Sequence, residues 1–174
     1  MSNSYPDALA LSRKVLRAVI NLNLLMGFLI LGLLIASLVA EGPVMGALGA
    51  RPATSGSMLF LGMRLIMVIG ICAVPIAHFV LTRLLTIVDT VSVGNPFVTA
   101  NAARLQAIAW AILALELMHF VVGAVAATTS SRAEPLNIGW GFSITRWLAV
   151  LLLFVLARVF EQGARMREEL EGTV

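Results

Sequence analysis

Long apolar runs alternate with short polar stretches along this chain, and that alternation sets the expected elements. The first run, Ala18 to Ala40, carries no charge. It is long enough to cross a hydrocarbon core of ~30 Å at ~1.5 Å per residue. Three more runs follow, so the pattern predicts transmembrane helices over about residues 18–40, 61–83, 105–127 and 141–160. Pro6-Asp7 offers a helix beginning before the first run, with Arg13, Lys14 and Arg17 at the membrane edge. Glu41-Gly42-Pro43 is expected to end that helix, and residues 42–57, with four glycines and two prolines, read as a loop of little structure. Pro75 lies inside the second run, where it predicts a kink that neighbouring membrane helices accommodate.

Between the second and third runs the periodicity does not stop at the membrane. Leu84, Ile87, Val88 and Val91 recur at i, i+3, i+4 and i+7, which predicts an amphipathic extension of the second helix to about residue 92. Gly94-Asn95-Pro96 then breaks it, with Asn95 placed to cap the next helix and Pro96 at its first position. Ala103, Ala107, Ala111 and Ala114 form a small-residue stripe suited to close helix contact. Phe79-Val-Leu-Thr-Arg83 and Phe154-Val-Leu-Ala-Arg158 are a weak echo between the second and fourth helices. The charged segment 161–174 follows as a tail, and Glu161 and Arg165 at i, i+4 support a helix leaving the membrane.

Composition agrees with an integral membrane protein. Hydrophobic residues make up 60% and charged residues 12% of the 174 residues, against about 25% charged in soluble domains. Mean hydropathy is +0.98. The net charge of +3 is better explained by topology than by nucleic-acid binding, because Arg13-Lys14-x-x-Arg17 is the densest basic cluster. Basic residues number eight in the N-terminal segment, the 83–104 connector and the tail, against four in the other two loops and their flanks. Both termini are therefore expected in the cytoplasm, with Trp140 and Trp147 at the outer interface. The lone Cys72 excludes an internal disulfide. The uncharged run is too long for the core of a cleavable signal, so the first helix is expected to stay. The expected architecture is all-α: one integral domain over residues 1–174, a bundle of four transmembrane helices.

Gly94-Asn95-Pro96-Phe97, Asn101, Arg104-Leu105, Gly163 and the ending Arg167-Glu-Glu-Leu-Glu-Gly-Thr-Val174 resemble domain-of-unknown-function family 2975. Gly172 departs from the pattern, standing where a leucine is common before Thr-Val. The resemblance implies a small four-helix protein of a bacterial inner membrane. Such proteins are often encoded beside a Cro/C1-type helix-turn-helix regulator, which implies a membrane partner for that regulator. It supplies no catalytic residues.

Ionisable groups inside a span are the remaining candidates for chemistry. Glu116 lies 12 residues beyond Arg104, and Arg146 lies 12 before Arg158. Both therefore sit ~18 Å from the inner edge, where an ion pair between the third and fourth helices is available. Glu116-Leu-Met-His119 also reads as one half of a di-iron pattern, but that site needs a second copy and further carboxylates that the spans lack. A haem on His78 and His119 fails because the two differ by ~15 Å in height. His78 instead falls level with Asn21 and Asn23, and these three, with His119 deeper, form an expected set of buried polar groups. The methionines read as flexible core filling. No cofactor or metal is expected.

These readings favour a non-enzymatic regulatory protein that binds or sequesters a cytoplasmic partner, a small DNA-binding regulator. Its expected contact residues are Gly94, Asn95, Pro96, Phe97, Asn101, Arg104, Arg165, Arg167 and Glu168. The alternative is a binder of a lipid, quinone or other hydrophobic ligand within the helices. The expected partners are the lipid bilayer and that regulator, with a homo-oligomer as an open arrangement and no direct contact with nucleic acid.

Overall fold

A computed structural model describes residues 4–47, 57–94, 97–129 and 143–171. Among them the chain forms helices and no strand: α1 (Ser4–Val39), α2 (Glu41–Ala47), α3 (Ser57–Ser92), α4 (Thr99–Thr129) and α5 (Ile144–Glu171). Three helices are long and apolar enough to cross a membrane, over Leu9–Val39, Met58–Ser92 and Thr99–Thr129. Their most apolar windows bury only 6%, 6% and 17% of their residues inside the protein. Faces as apolar as those bearing Phe28, Leu29 and Leu61 are left uncovered, and water is a poor solvent for them. Helices are suited to lipid because each satisfies its own backbone hydrogen bonds.

Helix α5 is the exception among the long helices. Its charge-free stretch, Trp147 to Ala157, covers 11 residues, or only ~16 Å. Arg146 and Arg158 flank it, and Glu161 follows within one turn.

Several expected boundaries move. Helix α1 starts at Ser4, so the polar start is helical and continuous with the apolar run. The break after the first run falls at Ala40, and Glu41-Gly42-Pro43 opens α2 instead of ending a helix. The amide N–H of Val44 donates to Ala40 O at 3.2 Å. Residues 42–47 are thus helical, not loop, and the rest of that expected loop lies outside the described residues. Helix α3 runs unbroken through Pro75 to Ser92, as the periodicity predicts. Helix α4 begins at Thr99, after the non-helical Phe97 and Val98, and not at Pro96. The Asn101 N–H donates to Val98 O at 2.8 Å. Asn95, Pro96 and Trp140 lie outside the described residues. The tail is the same helix as the last apolar run.

The chain divides into two compact units. The first comprises Met1–Leu22, Ile76–Ala114 and Ser143–Val174. Its core is Ile87, Leu105, Ile108 and Ala157, with Val80, Val91, Ile112, Leu153 and Phe160 packed against it. Ile87 and Val91 point inward as the spacing predicts, whereas Leu84 sits on the rim of that arc and is exposed. On the part of α4 in this unit, Ala102 and Ala109 are buried. They share a face with Leu105, so the expected stripe beginning at Ala103 is rotated away from the core, and Ala103 is exposed.

The second unit comprises Asn23–Pro75 and Leu115–Phe142. Leu59, Met67 and Ala126 are buried there, and Phe60 and Met63 pack on Leu59. The Asn23 Nδ2 donates to Val74 O at 3.1 Å, next to the proline. Arg64 Nη2 donates to Ser37 O at 2.6 Å and pairs with Glu41 Oε2 at 3.0 Å. A guanidinium thereby meets one of the last carbonyls of α1, where the helix leaves acceptors unfilled and the dipole favours a cation.

Helices α3 and α4 approach closely at Gly62, where a Cβ would lie 2.5 Å from both Cγ2 and Oγ1 of Thr129. Gly62→Ala is therefore expected to force α3 and α4 apart locally, at a cost of about 1–3 kcal/mol for overpacking. A lowered melting temperature in detergent would show this. Gly32→Ala, at an open position on α1, is expected to leave melting unchanged and serves as the control.

Candidate functional site

The polar side chains of the first unit come from four stretches far apart in sequence. Arg13 on α1 forms an ion pair with Asp89 on α3, Nε to Oδ1 at 2.8 Å, and its Nη2 donates to Ser92 Oγ. One turn of polar residues at the end of α3 thus holds the start of α1. Asp89 and Ser92 are spaced i, i+3, so they share a helix face.

Next to them lies Asn101, which is fully buried. Its Nδ2 donates to Thr90 Oγ1 at 2.7 Å, and its Oδ1 accepts from Arg104 Nη1 at 2.7 Å. Thr90 Oγ1 in turn donates to Ile87 O at 2.7 Å. The side chain of Asn101 therefore bridges α3 to α4 across the connector. Burial of an amide is tolerable only with such partners.

Two contacts join the start of α4 to the outer turns of α5. The Phe97 ring packs on Phe160 with centroids 5.3 Å apart, and it rests over Gly163, where a Cβ would come within 3.0 Å of its Cδ1. Thr99 Oγ1 donates to Glu168 Oε1 at 2.6 Å. Glu161 accepts from Arg158 Nη1 at 3.1 Å and from Arg165 Nη2 at 2.8 Å. Between α4 and α5 a groove of about 320 Å³ opens beside these residues.

The structure thus brings together Phe97, Asn101, Arg104, Arg165 and Glu168 within one unit. Gly94 has φ +83° and nothing near its Cα that would oppose a side chain. Its glycine is required by backbone conformation, since other residues rarely adopt that angle. Arg167 is half-buried on α5. Of the buried polar set, Asn21 is exposed, and Asn23 is engaged by the Val74 carbonyl. The buried His78 Nδ1 and His119 Nε2 have no hydrogen-bond partner among the described residues. Glu116 and Arg146 are both half-buried, the first in the second unit and the second in the first. Among the described residues, no three His, Cys, Asp or Glu side chains gather in a way that could hold a metal ion.

Sequence reasoning missed Asp89, Ser92, Thr90 and Thr99 as partners. Asp89 was legible as an acid on an otherwise apolar periodic stretch, but its mate lies 76 residues away.

Helices of this length with uncovered apolar faces define an α-helical integral membrane protein. Residues 57–174 match the family described as a protein of unknown function (DUF2975), and the chain belongs to that family. The match takes in α3, α4 and α5, and so the contacts among them just described, but not Arg13 of α1. No curated protein and no solved structure matches the chain.

Replacing the buried amide tests the role of the connector. Asn101→Leu removes the bonds to Thr90 and Arg104 and leaves those two side chains to find water, an expected loss of about 1–3 kcal/mol. In a cycle with Thr90→Val, thermal melts should show the double variant losing less than the sum of the singles. Strict additivity would mean that the two side chains act independently.

Proposed function

We propose that this chain is a non-enzymatic regulatory protein of a bacterial inner membrane that holds a cytoplasmic partner against the bilayer. The partner class is a small helix-turn-helix transcription regulator, the class that the family resemblance implies. The observation that carries the reading is the joining of connector and tail, Phe97 on Gly163 and Thr99 on Glu168. It makes one platform from two segments that sequence alone leaves separate. An ordered polar platform built from two segments is suited to binding.

In this reading α5 is a fourth crossing and both termini are cytoplasmic. The eight-to-four distribution of basic residues supports that orientation. Helix α5 also keeps Leu148, Leu151, Leu152 and Val155 outward, the pattern of a lipid-facing helix. Its flanking charges, Arg146 and Arg158, lie ~18 Å apart along the helix, and residues 144–160 cover ~26 Å. Both arginines then reach outward along the helix to the membrane edges.

A second reading, the binding of a hydrophobic small ligand, draws support from the second unit. A cavity of about 300 Å³ lies beside Pro75, walled by Leu24, Phe28, Leu31 and Ile71.

Topology and partner are tested separately. A reporter active only in the cytoplasm should be active after Val174 and silent after Thr129; the reverse pattern removes the platform from the compartment of the regulator. For the partner, the solubilised full chain should retain the regulator encoded beside it in a pull-down. Phe97→Ala should weaken retention roughly tenfold or more, as loss of an aromatic anchor does. Arg165→Glu tests the tail in the same assay. If the wild type retains nothing, the tethering reading fails. If both variants retain as much as the wild type, the platform is not the contact surface.

A further inference from the structure

The groove between α4 and α5 is an amphipathic slot at one end of a membrane-crossing helix. Its floor is made of Ala102, Ala103 and Ala157, whose short side chains leave about 320 Å³ unfilled. Its membrane end is closed by two aromatic rings, Trp110 and Phe154, edge to face with centroids 5.2 Å apart. Trp110 is 59% exposed, so its indole borders the slot and the lipid together, the position such rings favour at an interface. The other end is polar and carries Gln106, Arg158 and Glu161. Trp110 stands 11 residues along α4 from Thr99, at the polar mouth, a length of ~16 Å. A slot with an apolar end, a polar end and that length matches a headgroup followed by the first carbons of an acyl chain.

The polar end suits a phosphate. Glu161 is a single carboxylate shared by two guanidiniums, those of Arg158 and Arg165. That trio carries a surplus of one positive charge. The Arg158 side chain is 78% exposed and reaches Glu161 through Nη1. A guanidinium held from one side can present its remaining donors in the fork that suits phosphate oxygens. Gln106, exposed on the facing helix, adds an amide donor. The nearby Glu168 carboxylate accepts from the Thr99 hydroxyl at 2.6 Å and keeps its charge, so the phosphate contact rests on the exposed guanidinium of Arg158 rather than on a local excess of charge.

We propose that this groove binds an anionic glycerophospholipid, with its phosphate on Arg158 and Gln106 and its upper acyl chain against Trp110 and Phe154. The groove adjoins the partner platform and shares Thr99 with it, but the lipid contact requires no partner. Its occupant is drawn from the bilayer in which the protein lies, so a low affinity suffices for occupancy. Lipid in the slot would fill the gap that the alanines leave between the two helices.

The test uses full-length protein carrying Trp140→Phe and Trp147→Phe, which leaves Trp110 as the only indole. It is reconstituted in phosphatidylcholine vesicles that contain a minor share of phosphatidylglycerol, with bromines on the acyl chains of one lipid at a time. Trp110 quenching reads which lipid occupies the slot. Brominated phosphatidylglycerol is expected to quench about fivefold above its mole fraction, the enrichment that one basic side chain supplies at a membrane surface. Arg158→Gln should remove the excess by removing the phosphate contact. Ala103→Leu should remove it by filling the slot, and thermal melts confirm that both variants fold. Lys14→Gln, an exposed basic residue outside the slot, should leave the excess intact. Quenching in proportion to mole fraction overturns the proposal. So does an excess that survives either groove variant, or one that falls equally with Lys14→Gln, which would reflect general surface charge.

Discussion

Everything in this structure follows from how little of its apolar surface the protein covers for itself. The windows that qualify as membrane spans bury no more than 17% of their residues internally. The hydrophobic effect, which normally collects a protein core, is here satisfied by lipid. What holds helices to one another must therefore be close packing and polar contacts. Close packing is visible at Gly62, and at Gly27, where a Cβ would lie 2.9 Å from Val74 Cγ1. Polar contacts are visible at Asn23 and Arg64 in one unit and at Arg13 and Asn101 in the other.

The same constraint decides what was legible in the sequence. Three apolar runs, the amphipathic extension to Ser92 and the helical tail were readable because each is a property of consecutive residues. The sequence offered Pro6-Asp7 as a helix beginning, and α1 starts at Ser4. Its length as one helix is tied to Arg13 meeting Asp89 and Ser92, a pairing between sequence-distant residues. The α2 helix was hidden by its glycines and proline, although Pro43 is tolerated in a first turn where no N–H is needed. The start of α4 at Thr99 was hidden because Asn-Pro is a strong cap signature that points to an earlier beginning.

For the candidate site, sequence marked Phe97, Asn101, Arg104, Arg165 and Glu168 but not what joins them. An asparagine at the start of an apolar helix has many uses. Only the Thr90 hydroxyl across the turn shows that this one is a bridge. Gly163 is similar: a glycine in a helix normally weakens it, and the reason for this one is a ring from another segment lying on it. The groove was wholly illegible, because three alanines describe an empty volume only once the facing helix is in place.

Gly163 carries a mechanical consequence. Because Phe97 rests where a Cβ would be, the residues before α4 bear on the α5 backbone rather than on a flexible side chain tip. Five residues further along α5, Glu168 is tied to Thr99. A twist or axial pull on the outer turns of α5 is thereby transmitted to the entrance of α4 through a short stiff linkage. From there Asn101 carries it on to Thr90 of α3. The outer part of α5 is a handle: whatever grips it has purchase on the start of a membrane-crossing helix.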